Sequence, residues 1–403
     1  MWTLPSLLAL VLAPTLPLPQ DRLELVESAP IETSLDAPDL RPTHEVWIEC
    51  IDAATASIDI AQFYASDAPP TADGSPRRTR LTGVVEALER AAERGIEIRF
   101  LLSERFRELY AELPARLGAH AKIEVRWLDM EPTTGGVMHA KYWVFDEARV
   151  FVGSQNFDWR ALEHIQELGV LVAQQAIATR FRARFEADWS WAGNAGLLGG
   201  GVADGNRPRV GDAVVTAVFS PESPADKRVA GLSWDLPAIL QRIDGATESV
   251  RVQLLSYSPT DREGTYFAEL DNALRAAAAR GVDVRLMVAD WGKRRGRVEW
   301  VQSLQAVPNL TVRFVTIPQA SEGFIPFARC IHAKYMVVDG SSAWLGTSNW
   351  SRDYFYASRN AGLMVEGGAI PERLHRFHAD TWNSPYAYTV DPGADYVPPR
   401  VSD

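Results

Sequence analysis

An α/β fold of two similar halves, each a mixed β-sheet flanked by helices, is predicted by three features of this 403-residue chain. First, His139-Ala-Lys141-Tyr-Trp-Val-Phe-Asp146, followed by Gly153-Ser154-Gln-Asn156, returns as His332-Ala-Lys334-Tyr-Met-Val-Val-Asp339, followed by Gly346-Thr347-Ser-Asn349. The internal spacing is identical, and the offset holds without a gap through Gly169 and Gly362, which marks an internal repeat. Second, a helix-then-strand unit recurs: Ile51-Asp-Ala-Ala54-Thr55-Ala-Ser57 matches Ile243-Asp-Gly-Ala246-Thr247-Glu-Ser249, and the strands that follow end in Phe63-Tyr64 and Ser256-Tyr257. Third, strand, helix and strand follow one another in both halves at the spacing of a βαβ unit.

Taken in order, Trp2–Gln20 carries no charge and is rich in Leu and Pro, so residues 1–20 are expected to be a secretory signal and the protein to be exported. Residues 21–42 mix Pro, Ser, Asp and Glu without periodicity and predict an extended lead-in. The first half is expected over 43–192. Val46, Trp47, Ile48, Cys50 and Ile51 recur with helical spacing, and Ser57–Tyr64 alternates like a strand. Asp67–Arg80 is a polar loop holding Arg77, Arg78 and Arg80. A helix follows over Leu81–Arg94, closed by Gly95, and then a strand from Ile96. Ala176–Trp189 is helical and ends the half. The Gly-rich run from Gly193 predicts a linker over 193–212. The second half, 213–390, repeats the plan with a helix over Ala273–Arg280, a strand from Val282 and a closing helix over Glu372–Trp382. Between its strand and its motif, Lys293, Arg294, Arg295 and Arg297 form a basic loop, at the kind of strand exit that borders ligand sites in open α/β sheets. Residues 391–403 are expected to be a surface tail.

With 46% hydrophobic and 23% charged residues the chain is ordinary globular material. A net charge of −11 argues against a broad polyanion-binding surface and leaves room for a local basic mouth. Cys50 and Cys330, one in each half, are expected to be buried small apolar residues without a bridge. The period of two along each motif strand puts His139 and Lys141 on one side, and His332 and Lys334 likewise.

The pattern HxKx4Dx6G[ST]xN resembles the signature of the phospholipase D superfamily, and two copies in one chain resemble its pseudo-dimeric members. Gly-Ser-Gln-Asn156-Phe-Asp-Trp159-Arg, Glu167-Leu-Gly, Ile325-Pro-Phe-Ala-Arg329 and Gly-Thr-Ser-Asn349-Trp350-Ser are most similar to one branch. It holds the animal lysosomal 5′ exonucleases called phospholipase D-like and, more distantly, a poxvirus envelope phospholipase. The resemblance covers nearly the whole chain after about residue 40.

It implies halves related by a pseudo-twofold axis around one shared active site, and a phosphodiesterase that uses no metal and no cofactor. One neutral histidine attacks phosphorus to give a covalent phosphohistidine; the other, protonated, donates to the leaving oxygen. By the resemblance His139 is the nucleophile and His332 the general acid. Lys141, Lys334, Ser154, Asn156, Thr347 and Asn349 are expected to hold the non-bridging oxygens, with Gly153 and Gly346 allowing close backbone approach to the phosphate. Glu167 resembles the position that bonds the first motif histidine, and its counterpart in the second half is the uncharged Asn360. Asp146 and Asp339 are expected to be structural. His44, His120, His164, His375 and His378 are expected bystanders, and the sequence has no HExxH, CxxC or clustered-Asp signature of a metal site. Tyr64, Tyr257, Trp291 and Phe327 suit either the mouth of the site or the core. The substrate is a phosphodiester: single-stranded nucleic acid cut from its 5′ end, favoured by the branch and by the two basic loops, or a phospholipid, as in a phospholipase D or transphosphatidylase. A catalytically idle binding or envelope protein is the weakest reading, because both motifs keep every catalytic position.

Overall fold

A computed structural model of the chain describes residues 21–71, 73–193, 202, 207–222, 229–261 and 264–402. The expected signal, 1–20, and most of the expected Gly-rich linker lie outside the described residues.

Each half carries one large sheet, and the central strands of the two sheets run in the same order; a two-stranded ribbon of Ala65–Ser66 and Phe157–Asp158 adjoins the first. In the first, Arg22–Ser28, Glu167–Ala173, Arg149–Gly153, Tyr142–Phe145, Ser57–Gln62, Glu97–Ser103 and Ile123–Leu128 lie side by side. In the second, the corresponding series is Ala213–Ser220, Asn360–Glu366, Ser342–Gly346, Lys334–Val338, Ser249–Leu254, Asp283–Ala289 and Leu310–Val315. Both sheets are mixed. Ser57–Gln62 pairs in parallel with Glu97–Ser103 and antiparallel with the motif strand Tyr142–Phe145, and Ser249–Leu254 makes the same two pairings.

The repeat begins earlier than its motifs suggest. Inside the expected lead-in, Arg22–Ser28 is a full strand antiparallel to Glu167–Ala173, just as Ala213–Ser220 is to Asn360–Glu366. Acidic residues conceal this strand, because Glu27 faces inward and caps the following loop by accepting from the Ala37 N–H at 2.6 Å. The helix expected over Leu81–Arg94 runs from Arg80 to Glu93, opened by a Thr79–Thr82 capping box and followed by Gly95 at φ 91°.

Alternate residues of each strand serve different layers. Ile58 and Ile60 point outward to Trp47 and Leu88 of helices Thr43–Asp52 and Arg80–Glu93, whereas Ala61, Val144 and Val152 point inward. In the second half Val250 and Val252 meet Ile239 and Leu274 of helices Asp235–Asp244 and Ala268–Ala279. The inner faces share one cluster, in which Tyr142 and Val170 of the first sheet join Tyr335 and Leu363 of the second. Helices Gln175–Ala192 and Ala369–Trp382 enter that middle layer through Phe181, Phe185, Leu374 and Phe377. The result is a layered α-β-α-β-α body. At about 1.5–3 kcal/mol for each large apolar side chain buried, this middle layer joins the halves firmly. Cys50 and Cys330 are free and buried in one outer cluster. The tail has no regular element beyond Thr389, yet the Val401 carbonyl is tied to the Phe327 N–H at 2.8 Å.

Candidate active site

Each motif histidine sits just before its strand, where a backbone bridge joins one half to the other. Met138 forms an isolated parallel bridge with Arg359, and Gln166 forms one with Ile331. The His139 N–H donates to the Arg359 carbonyl at 2.9 Å and the His332 N–H to the Gln166 carbonyl at 2.8 Å. Each histidine backbone is therefore gripped by the opposite half.

The side chains follow the same crossed rule, which corrects the expected partner of Glu167. His139 Nδ1 lies 2.9 Å from Asn360 Oδ1, and His332 Nδ1 lies 2.8 Å from both carboxylate oxygens of Glu167. Glu167 and Asn360 open the strands Glu167–Ala173 and Asn360–Glu366, and those ends abut the other half's motif rather than their own. An Nδ1–H donated to either partner leaves Nε2 as the reactive nitrogen. The partners differ in charge. Burial, aided by the Lys141 and Lys334 ammoniums, pushes His139 well below the usual imidazole range. Burial and the same lysines also depress His332, but its Nδ1 faces a carboxyl rather than an amide, so the His332–Glu167 couple can share a proton that the His139–Asn360 pair cannot. Burial raises the Glu167 carboxyl to about 8, against the opposing pull of Lys334.

Lys141 and Lys334 are 1% exposed and donate to the carbonyls of their own histidines at 2.7 and 2.6 Å. Burial drives Lys141 well below its usual range, with Lys334 adding repulsion, and brings Lys334 down to about 7. Two buried amines against one carboxylate form a site short of negative charge, and an arriving anion relieves that cost.

Asn349 Oδ1 accepts from the Ser256 N–H at 3.4 Å, which leaves its amide NH2 as a donor for the cleft. Asn156 Nδ2 lies 3.3 Å from the Tyr64 hydroxyl, while its buried Oδ1 has no partner among the described residues. Turned over, the amide accepts from Tyr64 and presents its NH2 as Asn349 does, so that both of its ends are used. Ser154 and Thr347 do not fit the expected oxygen-holding role. The Ser154 hydroxyl bonds the Leu168 backbone at 3.2 and 3.1 Å, and the Thr347 hydroxyl donates to Asn360 Oδ1 at 2.9 Å. Both brace the residues that hold the histidines. Gly153 and Gly346 also serve the sheet: a Cβ on Gly153 would lie 2.7 Å from the Gly169 Cα, and one on Gly362 3.0 Å from the Gly346 Cα. These glycines let neighbouring strands close up beside the site.

Asp146 and Asp339 lie at the far ends of the motif strands. Asp146 accepts from the N–H groups of Thr55, Ala56 and Ser57, and Asp339 from those of Thr247, Glu248 and Ser249, all at 2.7–3.0 Å. The two repeated features of the sequence thus bind each other: the motif aspartate fastens the turn before the adjoining strand.

Both histidines open into a cleft of about 240 Å³ with Asn156, Asn349 and Cys330. Its walls are largely aromatic. Phe63 and Tyr354 meet the His139 ring edge-on at 4.6 and 5.0 Å, and Tyr64, Phe106 and Tyr110 stack beside them. Tyr64, Trp291 and Phe327 line the mouth as their aromatic character allows, whereas Tyr257 is core and donates to Asp271 at 2.6 Å. Phe63, Phe106, Tyr110 and Tyr354 carry no motif, and adjacency in sequence, to Tyr64, points only to Phe63. Of the first basic loop, Arg77 is paired with Glu322 at 2.6 Å, Arg78 with Glu86 at 3.0 Å, and Arg80 donates to the Leu162 carbonyl at 2.8 Å. Among the described residues no cluster of three His, Cys, Asp or Glu has the geometry of a metal site, and no helix is long and apolar enough to cross a membrane.

A family model described as "Cardiolipin synthase, PLD-like domain" matches residues 47–189 and again 239–382. Curated relatives include the mouse protein named 5'-3' exonuclease PLD4, 32% identical over 92% of this chain and 80% of its own length. The Dictyostelium discoideum protein named phospholipase D Z is 30% identical over 91% of this chain and 90% of its own. The human protein named 5'-3' exonuclease PLD3 is 30% identical over 93% and 81%. Among solved structures, phosphatidylserine synthase of Haemophilus influenzae shares the fold with a TM-score of 0.60 at 12% identity, covering 86% of this chain and 85% of that one.

Proposed function

The chain belongs to the phospholipase D-like family, and from that premise we propose that it is a metal-independent phosphodiesterase working through a covalent phosphohistidine, its best-supported substrate a single-stranded nucleic acid cut from the 5′ end. The observation that carries this reading is the pair His139 and His332 opening into one cleft, with the buried amines of Lys141 and Lys334 bonded to the backbone of those same histidines.

In this reading neutral His139 attacks phosphorus through Nε2 as the bond to the leaving oxygen breaks, and His332 gives that oxygen its proton. His332, now neutral, takes a proton from water, which attacks phosphorus and breaks the P–N bond, restoring both imidazoles. Lys141, Lys334, Asn156 and Asn349 hold the non-bridging oxygens, where their donors compensate the charge that builds in the transition state. The nuclease reading is supported by the relatives named 5'-3' exonuclease and by an aromatic wall suited to stacking on a base. A phospholipase D activity is the second reading, supported by the relative named phospholipase D Z and by Leu109 and Phe327, which stand 66% and 47% exposed at the cleft.

The test is parallel incubation of the purified protein in excess chelator with 5′-hydroxyl single-stranded DNA and with phosphatidylcholine or phosphatidylglycerol vesicles. Stepwise loss of nucleotides from the 5′ end, absent in His139→Asn, is the expected result. Headgroup release with inert DNA would establish the lipid reading, and activity restored only by added zinc or magnesium would overturn the metal-free mechanism.

A further inference from the structure

The two lips of the cleft are the same structural element carrying different charge. In the first half the strand Glu97–Ser103 runs into the 3-10 turn Glu104–Phe106, and in the second the equivalent strand Asp283–Ala289 runs into the turn Asp290–Lys293. The first lip sends Phe106, Leu109 and Tyr110 to the cleft, and its charges balance as Glu104, Arg105, Arg107 and Glu108. The second lip sends Trp291 to the cleft, and then carries Lys293, Arg294, Arg295 and Arg297 against the single carboxylate of Asp290.

The two arginines at the tip of this lip are not spent on the protein. Lys293 lies 4.0 Å from Asp290, but neither Arg294 nor Arg295, both exposed, has a carboxylate within 4 Å among the described residues. Glu299, the next acid along the chain, instead accepts from the Gly296 N–H at 2.8 Å. The contrast with Arg77 and Arg78, each neutralised by a glutamate, is direct. In a chain of net charge −11, unpaired guanidinium groups within three or four residues of a cleft-lining tryptophan are a local anion track.

We propose that the lip Lys293–Arg297 binds the phosphate backbone of a single strand beyond the scissile bond, so that a polymer enters with its terminal nucleoside toward the apolar first lip and leaves over the second. The proposal rests on the nuclease reading and adds a direction to it. A phospholipid brings only its own headgroup phosphate to the scissile site, so a lipid substrate has no chain length on which turnover over such a track could depend.

The experiment compares the full-length enzyme with Arg294→Ala/Arg295→Ala and with Arg78→Ala on 5′-hydroxyl oligothymidylates of 2 and 16 nucleotides, and on bis(p-nitrophenyl) phosphate. In the parent the 16-mer is favoured over the dimer in kcat/KM. In the double variant that preference falls about fivefold, as expected for two exposed ion pairs, while Arg78→Ala keeps it. The slope of log kcat/KM for the 16-mer against log salt becomes shallower by about 1.4, or about 0.7 for each arginine–phosphate pair removed. An unchanged length preference and salt slope in the double variant would overturn the track while leaving the nuclease reading intact. A parent enzyme that turns over the small diester but neither oligonucleotide would overturn both.

Discussion

The two halves agree in backbone and differ in the one atom group that faces each histidine. Strand order, parallel and antiparallel pairings and the aspartate that fastens the turn are common to both. Yet His139 rests on the neutral amide of Asn360 and His332 on the carboxylate of Glu167. A symmetric pair would give two imidazoles of equal proton affinity, each as ready to attack as to donate. In the proposed mechanism, replacing one carboxylate by an amide divides the labour: the imidazole without a carboxyl partner serves as the neutral nucleophile and the other as the proton donor. Since each partner comes from the opposite half, neither half alone holds a motif histidine together with its partner.

The comparison can be broken in stages. The largest effect is expected from His139→Asn, which should lower kcat by about 10⁴-fold or more, against a smaller loss in His332→Asn, read in steady-state turnover of the same substrate. Next is Glu167→Gln, which makes the halves alike. It should cost about 10²-fold in kcat and move the basic limb of the pH profile to lower pH, since His332 must hold its proton and loses the anion that helps it do so. An unmoved basic limb would detach Glu167 from the acid role. The converse change, Asn360→Asp, places an anion on His139 and favours its protonated form. The acidic limb should then rise, with activity about tenfold lower at mildly acidic pH and recovering as pH increases. The smallest catalytic effect is expected from Asp146→Ala, which leaves three N–H groups without their acceptor. Urea unfolding should find about 1–3 kcal/mol less stability, with the pH profile unmoved.

Much of this is legible in the sequence, and the reasons for the gaps are physical. Motif spacing is local and rigid, so the strands, the motif histidines and lysines, and the structural aspartates can be read from it. Pairing across the halves cannot, because the bridges Met138–Arg359 and Gln166–Ile331 join segments remote in the chain. Reading Glu167, by resemblance, as the partner of the first motif histidine therefore inverts the crossed geometry. Arg77 has the sequence setting of a phosphate ligand, but Glu322, from the other half, lies against it. Ser154 and Thr347 mislead because a hydroxyl beside a motif asparagine suits a phosphate oxygen and a neighbouring strand equally well. The strand Arg22–Ser28 is hidden by its inward-facing Glu27.

The central claim, that the uncharged partner marks the nucleophile, is tested most directly by trapping the covalent intermediate. The His332→Asn enzyme is mixed with substrate, quenched in alkali to preserve a phosphohistidine, digested, and the modified peptide located by mass spectrometry. The account predicts the adduct on the peptide containing His139, and none in His139→Asn. An adduct on His332 in the parent enzyme, or in His139→Asn, would contradict it and assign attack to the histidine that faces Glu167.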